Sequence, residues 1–181
     1  IVLLKNDGLL PLQPVRSVLL VGDNADFGVL SGGGSSQVTP RGGPPRVVEP
    51  GGDGVVAAAM ARRLYVPSSP LLALRDLLPR TLIGFHSGYS AGSAAATAAR
   101  HDVAIVFATR WEGEGSDHAT LALPQGQDEL IRAVAAANPR TVVVLQTGNP
   151  VAMPWIGQVA VVMQAWYSGQ EGGRAIAEVL S

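Results

Sequence analysis

A chain of 181 residues that is 47% hydrophobic and 15% charged has the composition of one compact domain with a substantial core, not of a disordered segment. Its formal net charge is −1, and no run of Lys or Arg exceeds the pair Arg62-Arg63, so neither nucleic acid nor an anionic membrane is an expected partner. The absence of cysteine excludes disulfides and thiolate metal sites. His86, His101 and His118 fall at no metal-ligand spacing, and no apolar run approaches the roughly 20 residues of a membrane span, so no cofactor or metal is expected.

In chain order, Ile1–Leu4 is a short apolar run followed by the turn signal Lys5-Asn-Asp-Gly8. Ser17–Gly22 is a continuous apolar run closed by glycine, as expected of a strand covered on both faces. The Gly-, Pro- and Ser-rich stretch from Asp23 to Gly54 is long for a connection in a compact domain, which points to a functional loop or a cover over another domain. Val55–Leu64 reads as a helix by propensity, and Pro70–Leu78 as a helix by leucine spacing with Pro70 in its first turn. Thr81–Phe85 is a short strand, Ser93–Arg100 an alanine-rich helix, and Val103–Ala108 a strand.

The second half repeats the alternation. A helix over Gln125–Asn138 carries Leu130, Ile131 and Val134 on one face and ends at Asn138-Pro139. Strands Thr141–Leu145 and Val159–Met163 follow, each leading into a polar loop, and Gly173–Leu180 is the last helix. Strands alternating with helices, with polar loops after strands, predict an α/β fold: a three-layer α/β/α sandwich around a mainly parallel sheet of about six strands.

The densest polar loop follows the strand Val103–Ala108. Trp111-Glu-Gly-Glu-Gly-Ser-Asp-His118 holds three carboxylates, an indole and an imidazole beside two glycines. In open α/β sheets ligands bind at the carboxyl ends of strands, which makes this loop the candidate site. A carboxyl held in a partly apolar pocket, for instance against Trp111, has its ionised form disfavoured and can serve as a general acid. A solvated loop in which Asp117 caps a turn is the alternative. Gly32-Gly-Gly-Ser-Ser36 is followed by no Lys in the phosphate-loop pattern, so close approach of its backbone to another surface is the better reading. Trp155 is expected to seal the domain against a neighbour, and no nucleophile elbow is present for a Ser-His-Asp triad.

Several motifs in order carry a resemblance: Ile1-Val-Leu-Leu-Lys-Asn6 with Leu9-Leu-Pro-Leu12, Val21-Gly-Asp-Asn-Ala-Asp26, Gly32–Ser36, Glu114-Gly-Ser-Asp117, Gly126-Gln-Asp-Glu-Leu-Ile131, Val151-Ala-Met-Pro-Trp155 and Ala165-Trp-Tyr-Ser-Gly-Gln-Glu-Gly-Gly173. Together they resemble the second domain of glycoside hydrolase family 3, the β-glucosidase-type enzymes, nearly end to end. The resemblance implies an (α/β)6 sandwich that supplies the acid/base to a retaining β-glycosidase, with a β-glucoside or short β-glucan as substrate. It places the acid/base on Glu114 and a supporting role on Asp117; Glu112 does not match the family's segment and ranks second, and Trp111, Glu112 and His118 are expected close to the substrate as residues of the same loop. It implies a nucleophilic Asp on a preceding barrel domain, the partner this chain is expected to need, and thus a single domain over 1–181 that is inactive alone. His118 stands where the family commonly has Arg, which would make an interdomain ion pair weaker and pH-dependent. The rival readings are a non-catalytic module that covers or binds carbohydrate and, third, a nucleotide-binding α/β domain. Localisation is left open by the residues.

Overall fold

The structure is a computed structural model that describes residues 1–43, 46–48, 62–115 and 117–181. Its frame is a six-stranded sheet in the order β1-β9-β8-β7-β2-β6, formed by β1 (Val2–Asn6), β2 (Ser17–Val21), β6 (Leu82–His86), β7 (Val103–Arg110), β8 (Thr141–Thr147) and β9 (Val161–Gln164). All neighbouring pairs are parallel except β1, which runs antiparallel along the edge of β9. This is the expected three-layer α/β sandwich.

The sheet is covered on both faces because its inner strands carry continuous apolar runs, and the pleat divides these between two layers. Val18, Leu20, Ile105, Phe107, Val142, Val144, Val161 and Met163 point to one side. There they meet Leu71 and Leu74 of α1 (Pro70–Leu77) and Ile176, Ala177 and Leu180 of α4 (Gly172–Leu180). The alternate residues Leu19, Val21, Ala104, Val106, Val143, Leu145 and Val162 meet Ala94 and Ala98 of α2 (Ala91–Ala98) and Leu130, Ile131 and Val134 of α3 (Gln127–Ala137). Each helix shows one apolar stripe to the sheet. Ser69 caps α1 by accepting from Leu72 N at 3.1 Å.

Polar side chains hold the amino ends of the strands in register. The Asp102 carboxylate accepts from the backbone N–H groups of Arg16 and Ser17 and from the Arg16 guanidinium, while Asp102 N donates to Ser17 Oγ. The Arg16 side chain, with its N–H, holds the Asp102 carboxyl below its ordinary range. Buried Asn138 donates to the carbonyls of Ala98 and His101, joining the ends of α2 and α3. With the amino edge closed in this way, the long loops collect at the carboxyl edge.

Two expectations change. The stretch Asp23–Gly54 is not without structure: it holds a short 3-10 turn at Asp23–Ala25 and strands β3 (Gly28–Val29) and β4 (Arg46–Val48). These pair antiparallel with β5 (Arg63–Val66) into a small three-stranded sheet. Arg63 and Leu64 therefore lie in a strand, not at the end of a helix; the rest of the helix read over Val55–Leu64 lies outside the described residues, Arg62 apart. Leu64 and Val66 are buried while Arg63 and Tyr65 are half-buried, a period of two that pairing enforces over helical propensity. No helix among the described residues is long and apolar enough to cross a membrane.

Trp155 does not seal the domain against a neighbour. Its side chain is fully buried inside the second layer, and its indole N–H donates to Asp128 Oδ1 at 2.6 Å at the start of α3. Replacing Trp155 by Ala is expected to cost about 3–5 kcal/mol of stability in chemical denaturation, the usual range for emptying a core aromatic site. A loss under 1 kcal/mol would place the indole outside the core.

Candidate active site

The acidic loop leaves the carboxyl end of β7, the strand at the centre of the sheet beside fully buried β8. Its first charged group after the strand is not free. Glu112 is only 8% exposed, and its Oε1 accepts from Nε of Arg110, itself 3% exposed, at 2.7 Å. Arg110 completes its donors on the Thr120 and Pro150 carbonyls at 3.2 and 3.0 Å, which ties the loop to its own return and to the β8 loop. A buried carboxylate is tolerated only when paired in this way.

Tyr167, on the loop after β9, holds the backbone of the same turn. Its hydroxyl accepts from Glu112 N–H at 2.6 Å and donates to the Arg110 carbonyl at 2.8 Å. Burial pushes the phenol up to about 12, with the Glu112 carboxylate adding to the rise, so it stays a neutral donor and acceptor across the ordinary pH range. The ring reaches the turn because Gly148 has no side chain: a Cβ there would lie 2.9 Å from Glu112 Cγ and 3.0 Å from Tyr167 Cε2.

The other side of the loop is met by Gly32–Ser36. Gly33 N donates to the Glu112 carbonyl at 2.9 Å and Glu114 N to the Gly33 carbonyl at 3.2 Å, an isolated parallel bridge between Gly33 and Gly113. Ser35 N then donates to Glu114 Oε2 at 2.7 Å. Gly34 has φ of +87°, and a Cβ on it would overlap Glu114 Cβ and lie 2.8 Å from Oε2. Glycine is required both by the dihedral and by the contact. The backbone of this stretch meets another surface closely, and the N–H groups of Gly33 and Ser35 bond to the acidic loop.

Glu114 is consequently the carboxylate presented outward. It is exposed, and hydrogen bonding from Ser35, through its side chain first and its backbone N–H second, holds the carboxyl below the ordinary glutamate range. The loop thus divides its two glutamates, Glu112 inside and ion-paired, Glu114 outside and bonded to a backbone. Asp117 is exposed beyond it. His118, also exposed, folds back so that Nε2 lies 3.0 Å from both the Trp111 carbonyl and Glu112 Oε2. Trp111 is half-buried, with the Arg63 guanidinium 5.2 Å from the centre of its indole, within cation–π range.

A model of the glycosyl hydrolase family 3 C-terminal domain matches residues 1–181. The chain belongs to glycoside hydrolase family 3. Among curated relatives, the family 3 domain is 32% identical over 202 residues to Beta-glucosidase BoGH3A of Bacteroides ovatus, covering 100% of this chain and 25% of that protein. It is 51% identical over 87 residues to a Beta-glucosidase of Rhizobium radiobacter, covering 46% of this chain and 11% of the relative. The Beta-D-glucoside glucohydrolase of Trichoderma reesei superposes over 99% of this chain and 26% of its own, with a TM-score of 0.78 and 27% identity. DesR, a beta-glucosidase from Streptomyces venezuelae, superposes with a TM-score of 0.80 over 99% of this chain and 35% of its own, at 20% identity, a likeness of fold. The chain thus spans a quarter or less of these curated relatives.

Within the family 3 domain the sequence-derived site residues Trp111, Glu112, Glu114, Asp117 and His118 share one loop, yet only Glu114 offers an outward carboxylate that the protein itself orients. Arg110 was not singled out by sequence reasoning; Gly34 and Ser35 lie in the stretch read there as backbone for close approach, and Tyr167 stood out only as a loop aromatic within Ala165–Gly173. The strand-end position of Arg110 beside an acidic loop, and of Gly34 in a triple glycine, carried the available signal; Tyr167 lies 57 residues from Arg110 with no local cue. Removing the phenol hydroxyl in Tyr167→Phe leaves the Glu112 N–H without its partner, and an expected loss of about 1–3 kcal/mol should appear in denaturant unfolding of the protein. Unchanged stability would mean that the turn finds another acceptor.

Proposed function

We propose that this chain supplies the acid/base to a retaining β-glucosidase, and that Glu114 is that group. The observation that supports it most is the placement of Glu114: an exposed carboxylate at the carboxyl edge of the sheet, fixed by Ser35 from one side and by the Gly33 bridge from behind. Its relatives are named beta-glucosidases and are about four or more times as long, which leaves room for a second domain to bring the nucleophile. Retaining hydrolysis needs two carboxyl groups roughly 5–5.5 Å apart, one protonated to release the aglycone and one ionised to attack. Glu114 protonates the leaving oxygen in the first step and takes a proton from water in the second. Arg110, Glu112 and Tyr167 act through the backbone and fix where that carboxyl stands; Asp117 and His118 lie on the same rim.

The proton affinity of Glu114 in this domain runs against the first step. Ser35 favours the ionised form, whereas a general acid must hold its proton. In the assembled enzyme the nucleophile's negative charge and the exclusion of water by bound sugar both raise the carboxyl, opposing Ser35. The substrate class that fits is a terminal β-D-glucoside.

The decisive test is Glu114→Gln in the full-length enzyme. Turnover of aryl glucosides with poor leaving groups should fall by about 10²–10⁴-fold, the range for losing a general acid, with partial recovery on adding azide and formation of glucosyl azide. Undiminished turnover would instead favour the reading as a non-catalytic carbohydrate-covering module. A second measurement concerns Ser35→Ala. Removing the Ser35 side chain raises the Glu114 carboxyl, so the alkaline limb of kcat/KM, which reports the protonated acid, should move to higher pH. Movement to lower pH would overturn the role given to Ser35.

A further inference from the structure

The mechanism leaves unused a cavity of about 160 Å³ at the carboxyl ends of β2, β7 and β8, lined by Asn24, Arg63, Thr109, Trp111, Gln146 and Tyr167 among others. Gln146 stands on β8 opposite Thr109 of β7 and is 1% exposed. Both its amide atoms, Nε2 and Oε1, are buried without a hydrogen-bond partner in the protein. Two further lining residues share this condition: Trp111 at Nε1 and Arg63 at Nε. Several polar groups near them are already committed. Gln164 is spent on Thr147, Gln127 on the backbone of Thr109, and the Tyr167 hydroxyl on the acidic turn. Buried amides and indole N–H groups are normally bonded, and three residues lacking partners around one cavity specify a ligand.

We propose that this cavity is a binding site for hydroxyl oxygens, tying the acid/base loop to the end of β8 through Trp111 and Gln146. Trp111 Nε1, Arg63 Nε and Gln146 Nε2 only donate, while Gln146 Oε1 only accepts. A hydroxyl oxygen accepts from the first set and donates to the last, satisfying both halves of the amide at once. An anion would serve the donors alone and set its charge against Gln146 Oε1. The volume admits several water-sized groups, since one such group needs only about 10–15 Å³ of this kind of space. The hydroxyl comes either from ordered water or from a carbohydrate held at the rim, where Trp111 and His118 line the same cavity. The site is distinct from the Glu114 carboxylate and does not depend on its catalytic role.

Crystals of the full-length enzyme, grown without sugar and after soaking with glucose, test the assignment. The expected result is oxygen density about 2.6–3.2 Å from the Gln146 amide and Trp111 Nε1. Density alike in both crystals assigns water, and density that becomes a sugar hydroxyl only after soaking assigns carbohydrate. A cavity without such density in either crystal, or one filled by an anion, overturns the proposal. Gln146→Met gives an independent reading on the same enzyme. If the amide is bonded to an occupant, the apolar replacement lowers Tm by about 2 °C or more. If the amide is simply unsatisfied, its removal leaves Tm unchanged or raises it, and the site is refuted.

Discussion

The buried carboxylate of Glu112 cannot stand alone, and the carboxyl edge of the domain is arranged around that fact. Its cost in the low-dielectric interior is offset only while Arg110 holds it, and Arg110 in turn is committed to carbonyls on two separate loops. Tyr167 fixes the peptide between the two charged residues. The pair contributes little net stability by itself. Its contribution is shape: Arg110 and Glu112 are locked inward at the end of β7, and the turn that follows, held by Gly33 and Ser35, sets the next glutamate outward.

Two glutamates two residues apart therefore carry opposite assignments from environment alone. Glu112 is inside, its carboxylate paired with a guanidinium. Glu114 is outside, held by Ser35, with its remaining surface open to whatever approaches the rim. On the proposed role of Glu114, placement comes from this domain, and the protonation that glycoside cleavage requires is raised by the domain proposed to bring the second carboxylate. On that proposal neither domain alone holds a competent acid, and catalysis is coupled to correct assembly of the two.

Much of this was legible in the residues. β2, β7 and β8 announce themselves as apolar runs because a parallel sheet buried on both faces removes the alternation that would otherwise mark a strand. The site loop was legible as a dense polar cluster after such a run, and the triple glycine as a backbone built for close contact. What could not be seen was whatever depends on a distant partner. Arg63 and Leu64 follow an alanine-rich stretch that favours helix, and only pairing with β3 and β4 makes them a strand. Trp155 reads as a surface aromatic until Asp128 is found to take its indole N–H. Which glutamate faces out was set by Arg110 and Tyr167, and the second of these lies far along the chain.

The bond from Ser35 to Glu114 joins residues 79 positions apart. Such a contact forms only after β2 and β7 have come together, so the outward carboxylate is oriented late, once the sheet exists. Its exposed hydrogen bonds and glycine backbone also make the clasp one of the cheaper parts of the domain to open. Local opening there releases Glu114 without disturbing the core, so heat or denaturant would free this carboxylate from its position well before the fold is lost.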